Sequence, residues 1–400
     1  MSLSRPVLRY VLAAALFAGG LVVAVLAPPR HAEAAAVVTP AGFQEQTVVS
    51  GLSLPMNIEF APDGRLFVAE KAGVIKVFDN LADPTPTVFA DLSRNVHNLV
   101  DRGLLGLALD PQFPTRPYVY VLYTYDAPPG QVAPYWNDNC DSVGGGNAGR
   151  CVVTARLSRL TANGNVMTGT EQVMLQGWCS QFASHTIGDL HFGADGYLYV
   201  SGGDGASYDT ADYGQLNGNP CGDPVNEGGA LRSQDVRSTA DPTGLEGTVL
   251  RIDPATGAGA PGNPLAASSD ANARRIVAYG LRNPFRFGIR PGTNDVWIGD
   301  VGWTTWEEIN RLPNPTAPAP TNFGWPCMEG NGPQPGYDAA NLSLCESLYS
   351  AGTAMGPVFT YNHNDKVIPG ENCGTGSSSI SGMTGCPRRQ AQSTWNKTGA

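Results

Sequence analysis

Asn57-Ile-Glu-Phe-Ala-Pro-Asp-Gly64 runs into Arg65-Leu-Phe-Val-Ala-Glu70 and then Gly73-Val-Ile-Lys-Val-Phe78. The pattern returns as Asp189-Leu-His-Phe-Gly-Ala-Asp-Gly196 before Tyr197-Leu-Tyr-Val-Ser201. Asp-Gly between runs of β-branched and aromatic residues is a strong signal for a tight turn joining two antiparallel strands. Leu107-Ala-Leu-Asp-Pro111 leads into Tyr118–Tyr125, and Phe287-Gly-Ile-Arg-Pro-Gly292 into Val296-Trp-Ile-Gly299, in the same way. Shorter strands are predicted at Ala155–Leu160, Gly247–Ile252 and Glu308–Leu312. Four clear units and part of a fifth emerge, spaced irregularly because loops at 126–150 and 206–245 interrupt them. Small antiparallel sheets repeated around an axis, an all-β propeller, account for this better than a doubly wound α/β fold.

Composition agrees. The 49 glycines and 32 prolines in 400 residues punctuate the chain too often for a helical protein. A formal net charge of −10 argues against nucleic acid or an anionic membrane surface as partner. Arg5 and Arg9 precede an apolar run from Tyr10 to Ala27, with small residues around Ala32–Ala36, so residues 1–36 read as an export signal. The run approaches the length of a membrane span, but Pro28, Pro29 and the alanines favour cleavage over a retained anchor. The expected localisation is secreted or extracytoplasmic, with no stable membrane anchor after cleavage.

Eight cysteines in an exported chain, without CxxC or zinc-finger spacing, read as disulfides. Sequential pairing, Cys140–Cys151, Cys179–Cys221, Cys327–Cys345 and Cys373–Cys386, is the simplest arrangement and would staple four long loops.

Four groups of residues could carry chemistry. His185 precedes a predicted strand and Asp204 follows it, so both can reach one face. An imidazole oriented by a carboxylate is suited to proton abstraction, although a loop histidine bonded to backbone with Asp204 in a turn fits the same spacing. Arg282 and Asn283 precede Pro284, which favours an extended approach. A guanidinium there can hold carboxylate or quinone oxygens, or form an Arg–Asp bridge between blades. Asp300, Glu307 and Glu308 are hard oxygen donors near glycines, a composition calcium accepts but paired surface acids share. Trp303, Trp306, Trp325 and Phe323 could flank a planar ligand or pack between blades.

Taken together and in this order, Asp101-Arg-Gly-Leu-Leu-Gly106, His185–Gly188, Gly203-Asp-Gly205, Gly280-Leu-Arg-Asn-Pro284 and Gly302–Asn310 resemble the soluble glucose and sorbosone dehydrogenases. The likeness spans 43–385 and is nearest the secreted bacterial aldose dehydrogenases. It implies a six-bladed propeller over 37–385, with pyrroloquinoline quinone (PQQ) and calcium on its axis. His185 matches the catalytic base, Asp204 its acidic partner and Arg282 the contact to the reactive quinone end. Asn283, Asp101 and Trp303 match cofactor contacts. The carbonyls of Gly302 and Trp303 match the metal-binding pair, with Glu307 as a further metal ligand. Where Trp303 stands, members often carry glutamine. The implied reaction is C1 oxidation of an aldose to a lactone, with hydride passing to the quinone, His185 taking the hydroxyl proton, and electrons leaving to an external acceptor. The last 15 residues, 386–400, form an irregular tail in which the family's closing sequence is absent, so the closing blade is expected to be incomplete. Two other classes share the scaffold: a non-catalytic extracellular propeller of the hedgehog-interacting kind, and a calcium-dependent propeller lactonase.

Overall fold

The computed structural model describes residues 42–44, 46–140 and 151–363. The chain divides into two units, Met1–Thr47 and Val48–Ala400, and every strand and helix among the described residues lies in the second. The leader at 1–36, the Cys373–Cys386 pair and the tail at 386–400 fall outside the described residues. No helix among the described residues is long and apolar enough to cross a membrane.

The strands form blades in chain order. The first blade is β1 (Pro55–Phe60), β2 (Leu66–Glu70), β3 (Val74–Phe78) and β4 (Thr87–Asp91), antiparallel throughout. The Asp63-Gly64 turn joins β1 to β2, with Gly64 at φ 94°, where only glycine is comfortable. The second blade is β5 (Leu104–Leu109), β6 (Tyr118–Tyr125), β7 (Thr154–Asn163) and β8 (Val166–Gln176). The third is β9 (Leu190–Phe192), β10 (Leu198–Gly202), β11 (Thr248–Ile252) and β12 (Ile276–Tyr279). The fourth begins with β13 (Arg286–Ile289), β14 (Val296–Asp300) and β15 (Trp306–Leu312).

The chain then leaves the fourth sheet. The short strand β16 (Thr321–Asn322) runs parallel to β12, and β17 (Met328–Glu329) pairs with β18 (Gly332–Pro333). Two helices, α1 (Pro335–Asp338) and α2 (Ser343–Ala351), follow before β19 (Phe359–Asn362) returns to complete the fourth blade beside β15. Among the described residues this is an all-β propeller of four blades.

Burial follows from that stacking. Strands β2, β5 and β10 are buried at every position; Val49 and Leu52 cover Leu66 and Val68 of β2, and neighbouring blades cover β5 and β10. Outermost β8 is mostly exposed. Phe67, Ile75 and Val77 of the first blade interlock with Leu107, Val119 and Val121 of the second. Leu105, Tyr120 and Leu122 then meet Leu198, Val200 and Leu250, and Val249 and Val277 meet Phe287 and Ile298. Full burial of one such side chain contributes about 1.5–3 kcal/mol, so the inter-blade layers hold successive blades together.

The first strands of successive blades stand side by side, β1 by β5, β5 by β9 and β9 by β13. A buried polar hub ties them. Asn57 Nδ2 donates to Asp189 Oδ1 at 2.9 Å, His191 Nε2 lies 3.1 Å from Asp189 Oδ2, and Arg286 Nη2 donates to the Met56 carbonyl at 2.9 Å. Burial alone would raise the Asp189 carboxyl, but the charges of His191 and Arg286 hold it below the usual range.

Three disulfides pin the insertions: Cys140–Cys151, Cys179–Cys221 and Cys327–Cys345. These are the sequential pairs expected from the sequence. The second fastens the 206–245 excursion to the segment before β9; the third links the residue just before β17 to α2.

Candidate active site

The third blade brings His185 and Asp204 together. His185 lies in the loop before β9 and Asp204 just after β10, so the two ends of one hairpin meet. His185 Nδ1 sits 3.1 Å from Asp204 Oδ1, and both residues are buried. A carboxylate only accepts, so Nδ1 carries the proton and Nε2 is the basic nitrogen. His185 adopts φ 54°, a left-handed conformation unusual for a bulky residue. The loop is held there by backbone bonds: Gly205 N–H donates to the His185 carbonyl at 2.8 Å. Gly203 must lack a side chain, because a Cβ would collide with that same carbonyl.

Asp101, in the loop before β5, fixes the other side of the histidine. Its Oδ2 accepts from the His185 backbone N–H at 3.1 Å and from Ser184 Oγ at 2.8 Å. The neighbouring Arg102 is fully buried and reaches the same loop. Its guanidinium donates to the carbonyls of Cys151, Ser180 and Phe182. Burial pushes the Arg102 guanidinium down to about 9 against the pull of Asp101 and Asp126.

Arg282 and Asn283, after β12, complete the cluster. The Arg282 carbonyl accepts from Asp204 N–H at 2.8 Å, joining the two groups through backbone. Arg282 Nη1 donates to the carbonyls of Gly302 at 2.6 Å and Val301 at 3.1 Å. Asp300, at the end of β14, accepts from the backbone N–H groups of Arg282 (3.1 Å) and Asn283 (2.7 Å). Burial would raise the Asp204 carboxyl, but His185 and Arg282 hold it below the usual range. Asp300 goes the opposite way: burial and the facing Glu308 push it well above. Glu308 is itself raised to about 7, chiefly by burial.

The Gly302–Trp303 turn is organised by a residue that the sequence did not single out. Glu329 Oε1 accepts from four consecutive backbone N–H groups, Trp303 to Trp306, at 2.8–3.1 Å. No spacing signal announces it, since the contacts span 23 to 26 positions. Glu307 is fully buried on β15, with its Oε1 3.4 Å from His363 Nδ1.

The aromatic residues do not act as one cluster. Phe323 packs in the core between the third and fourth blades, whereas Trp303 and Trp325 meet Tyr337 of α1 edge to face. The expected group splits because β16 inserts Phe323 beside β12 while the following turn swings Trp325 outward to the site. Trp325 Nε1–H donates to Asp204 Oδ2 at 2.8 Å, and Trp303 Nε1–H donates to the Tyr208 carbonyl at 2.8 Å.

Several buried polar atoms here have no hydrogen-bond partner among the described residues. They are Arg282 Nε, both amide atoms of Asn283 and Asp101 Oδ1. Leaving such groups unpaired is costly, so each is free to exchange a hydrogen bond with a polar ligand or water.

Residues 52–347 match the profile of the glucose/sorbosone dehydrogenase family. The human Hedgehog-interacting protein is 32% identical over 170 residues, 40% of this chain and 22% of that protein. Quinoprotein glucose dehydrogenase B of Acinetobacter calcoaceticus is 25% identical over 304 residues, 75% of this chain and 56% of that protein. The chain thus spans less than two thirds of either relative. Among solved structures, the PQQ-bound aldose sugar dehydrogenase of Streptomyces coelicolor matches with a TM-score of 0.54 at 22% identity, covering 80% of this chain and 71% of that one. The soluble aldose sugar dehydrogenase of Escherichia coli, in its apo form, matches at 0.53 and 19%, covering 81% and 79%. These likenesses show the propeller fold.

Proposed function

The chain belongs to the glucose/sorbosone dehydrogenase family, and from that premise we propose that it oxidises aldose sugars at C1 to lactones, using PQQ and calcium, and passes the electrons to an external acceptor. The observation that carries this reading is the set of unpartnered buried atoms on Arg282, Asn283 and Asp101 beside the His185–Asp204 pair. A polycarboxylate quinone fits the N–H donors of this set. Arg282 Nε and the Asn283 amide would bind its oxygens, and Trp303 would flank it. The donors fit calcium in kind: the carbonyls of Gly302 and Trp303 and the carboxylate of Glu307 are hard oxygens. When bound, PQQ supplies a two-electron acceptor and calcium a polarising charge.

The residues of the chain supply the rest. His185 Nε2 takes the proton of the anomeric hydroxyl. Asp204 keeps the Nδ1 proton in place and stabilises the imidazolium that forms. Arg282 presents fixed positive charge where negative charge develops, in a site from which water is largely excluded. Asp101 and the left-handed turn at His185 hold the base in its orientation. We further propose a six-bladed ring, supported by the exposed Ile58 and Phe60 on β1, a face that another blade would cover. Three disulfides fit an extracytoplasmic location.

The test is reconstitution of the full chain with PQQ and calcium, followed by dye reduction across a panel of aldoses. Turnover that requires both PQQ and sugar is expected. Tight PQQ binding without turnover would favour a binding-only propeller, which the similarity to the Hedgehog-interacting protein makes the main competitor. Lactone hydrolysis without an electron acceptor would favour a lactonase.

A further inference from the structure

Trp325 touches both halves of the site. It is 4% exposed, its Nε1–H donates to Asp204 Oδ2 at 2.8 Å, and the Arg282 guanidinium carbon lies 5.5 Å from its ring centre. Its own backbone is fixed. The Trp325 N–H donates to the Gly280 carbonyl at 2.9 Å, and its carbonyl accepts from Ser233 Oγ at 2.9 Å and Gln234 Nε2 at 2.6 Å. Asp204 Oδ1 already accepts from His185 and from the Ala206 N–H at 3.0 Å. The indole is therefore the group that holds the second oxygen and stops the carboxylate rotating away from the imidazole.

We propose that Trp325 is a positioning residue that acts through Asp204: its N–H locks the carboxylate so that His185 keeps a single tautomer with the proton on Nδ1. The other charged or titratable groups near the pair are Arg282, Arg232 (Nη2 to the Asp204 carbonyl, 3.1 Å), Tyr337 and Asp101. None of them contacts Asp204 Oδ2 in a hydrogen bond. The effect on turnover rests on the reading of His185 as base; the effect on the tautomer does not.

The experiment uses the full chain with 15N-labelled histidine and no added cofactor. In wild type the His185 ring nitrogens should report one Nδ1–H tautomer, and in Trp325→Phe a mixture, as in Asp204→Asn. A Trp325→benzothienylalanine protein, which keeps the bicyclic shape but lacks the N–H, should behave like Trp325→Phe and guards against a packing artefact. In the reconstituted enzyme, Trp325→Phe should lower kcat by about tenfold to a hundredfold, the loss expected for a hydrogen bond to a charged group, with KM nearly unchanged. The Trp325→Phe/Asp204→Asn pair should be no slower than Asp204→Asn alone. A tautomer effect without sugar turnover in wild type would sink the dehydrogenase reading and leave this inference standing. An unchanged tautomer in the isostere, or additive losses in the double variant, would overturn the inference.

Discussion

Replacing His185 with glutamine is expected to lower kcat for aldose oxidation by about a thousandfold, within the range that a positioned general base contributes. The loop before β9 places His185 at φ 54° and fixes it through the Gly205 N–H and the Asp101 carboxylate, so the side chain has been placed at a local cost of about 1–3 kcal/mol. Glutamine keeps polar atoms in the space but has no nitrogen basic enough to take a hydroxyl proton. Arg282, Asn283 and Asp101 are untouched, so PQQ affinity should change little. Stopped-flow reduction of the bound cofactor by sugar, together with a PQQ titration, separates the two effects. Rapid cofactor reduction in the variant would remove His185 from the role of base. Loss of PQQ binding instead would mean that the histidine is a binding residue.

How far the sequence foretold this arrangement depends on how local each signal is. The Asp63-Gly64 and Asp195-Gly196 turns lie between strands that pair with each other, so their meaning is contained in about a dozen residues, and β1–β2 and β9–β10 form where expected. His185 and Asp204 are 19 positions apart across one hairpin, close enough for their convergence to be argued from strand ends. Trp325 and Asp204 are 121 positions apart. Their contact exists because the chain leaves the fourth blade after β15, crosses to β12 through β16, and is stapled to α2 by Cys327–Cys345. Nothing periodic marks that excursion.

Residue type was a weak guide for the same reason. Asp300 reads as a hard oxygen donor because it is a carboxylate near glycines; in the structure its oxygens accept from the backbone of Arg282 and Asn283. Glu329 looks like an ordinary turn residue and instead gathers four N–H groups of the Gly302–Trp306 segment. Both assignments required knowing which backbone groups lack strand partners, and that is a tertiary property.

Outside the site, Asp235→Asn is expected to stabilise the protein by on the order of 3 kcal/mol near pH 8, an effect that should fade toward pH 4. Asp235 is buried at the end of the 206–245 excursion, and a side chain at Gly244 would contact both its Oδ2 and Glu246 Oε2, which places the two carboxyls at one spot. Burial first, and the charge of Glu246 second, push the Asp235 carboxyl up to about 9, with Arg232 only partly opposing. In the unfolded chain the same group releases its proton near 3.9. Between these values the native state keeps a proton that the unfolded state has lost, so rising pH favours unfolding. Asparagine can still accept the Gly244 N–H bond that Asp235 accepts at 3.0 Å, and it has no proton to lose. Urea unfolding of both proteins in chelator at pH 4, 6 and 8 should therefore show a gap in stability that widens with pH. A gap that is constant, or that closes as pH rises, would mean that Asp235 does not hold its proton in the native state and that Arg232 neutralises Asp235 as well as Glu246.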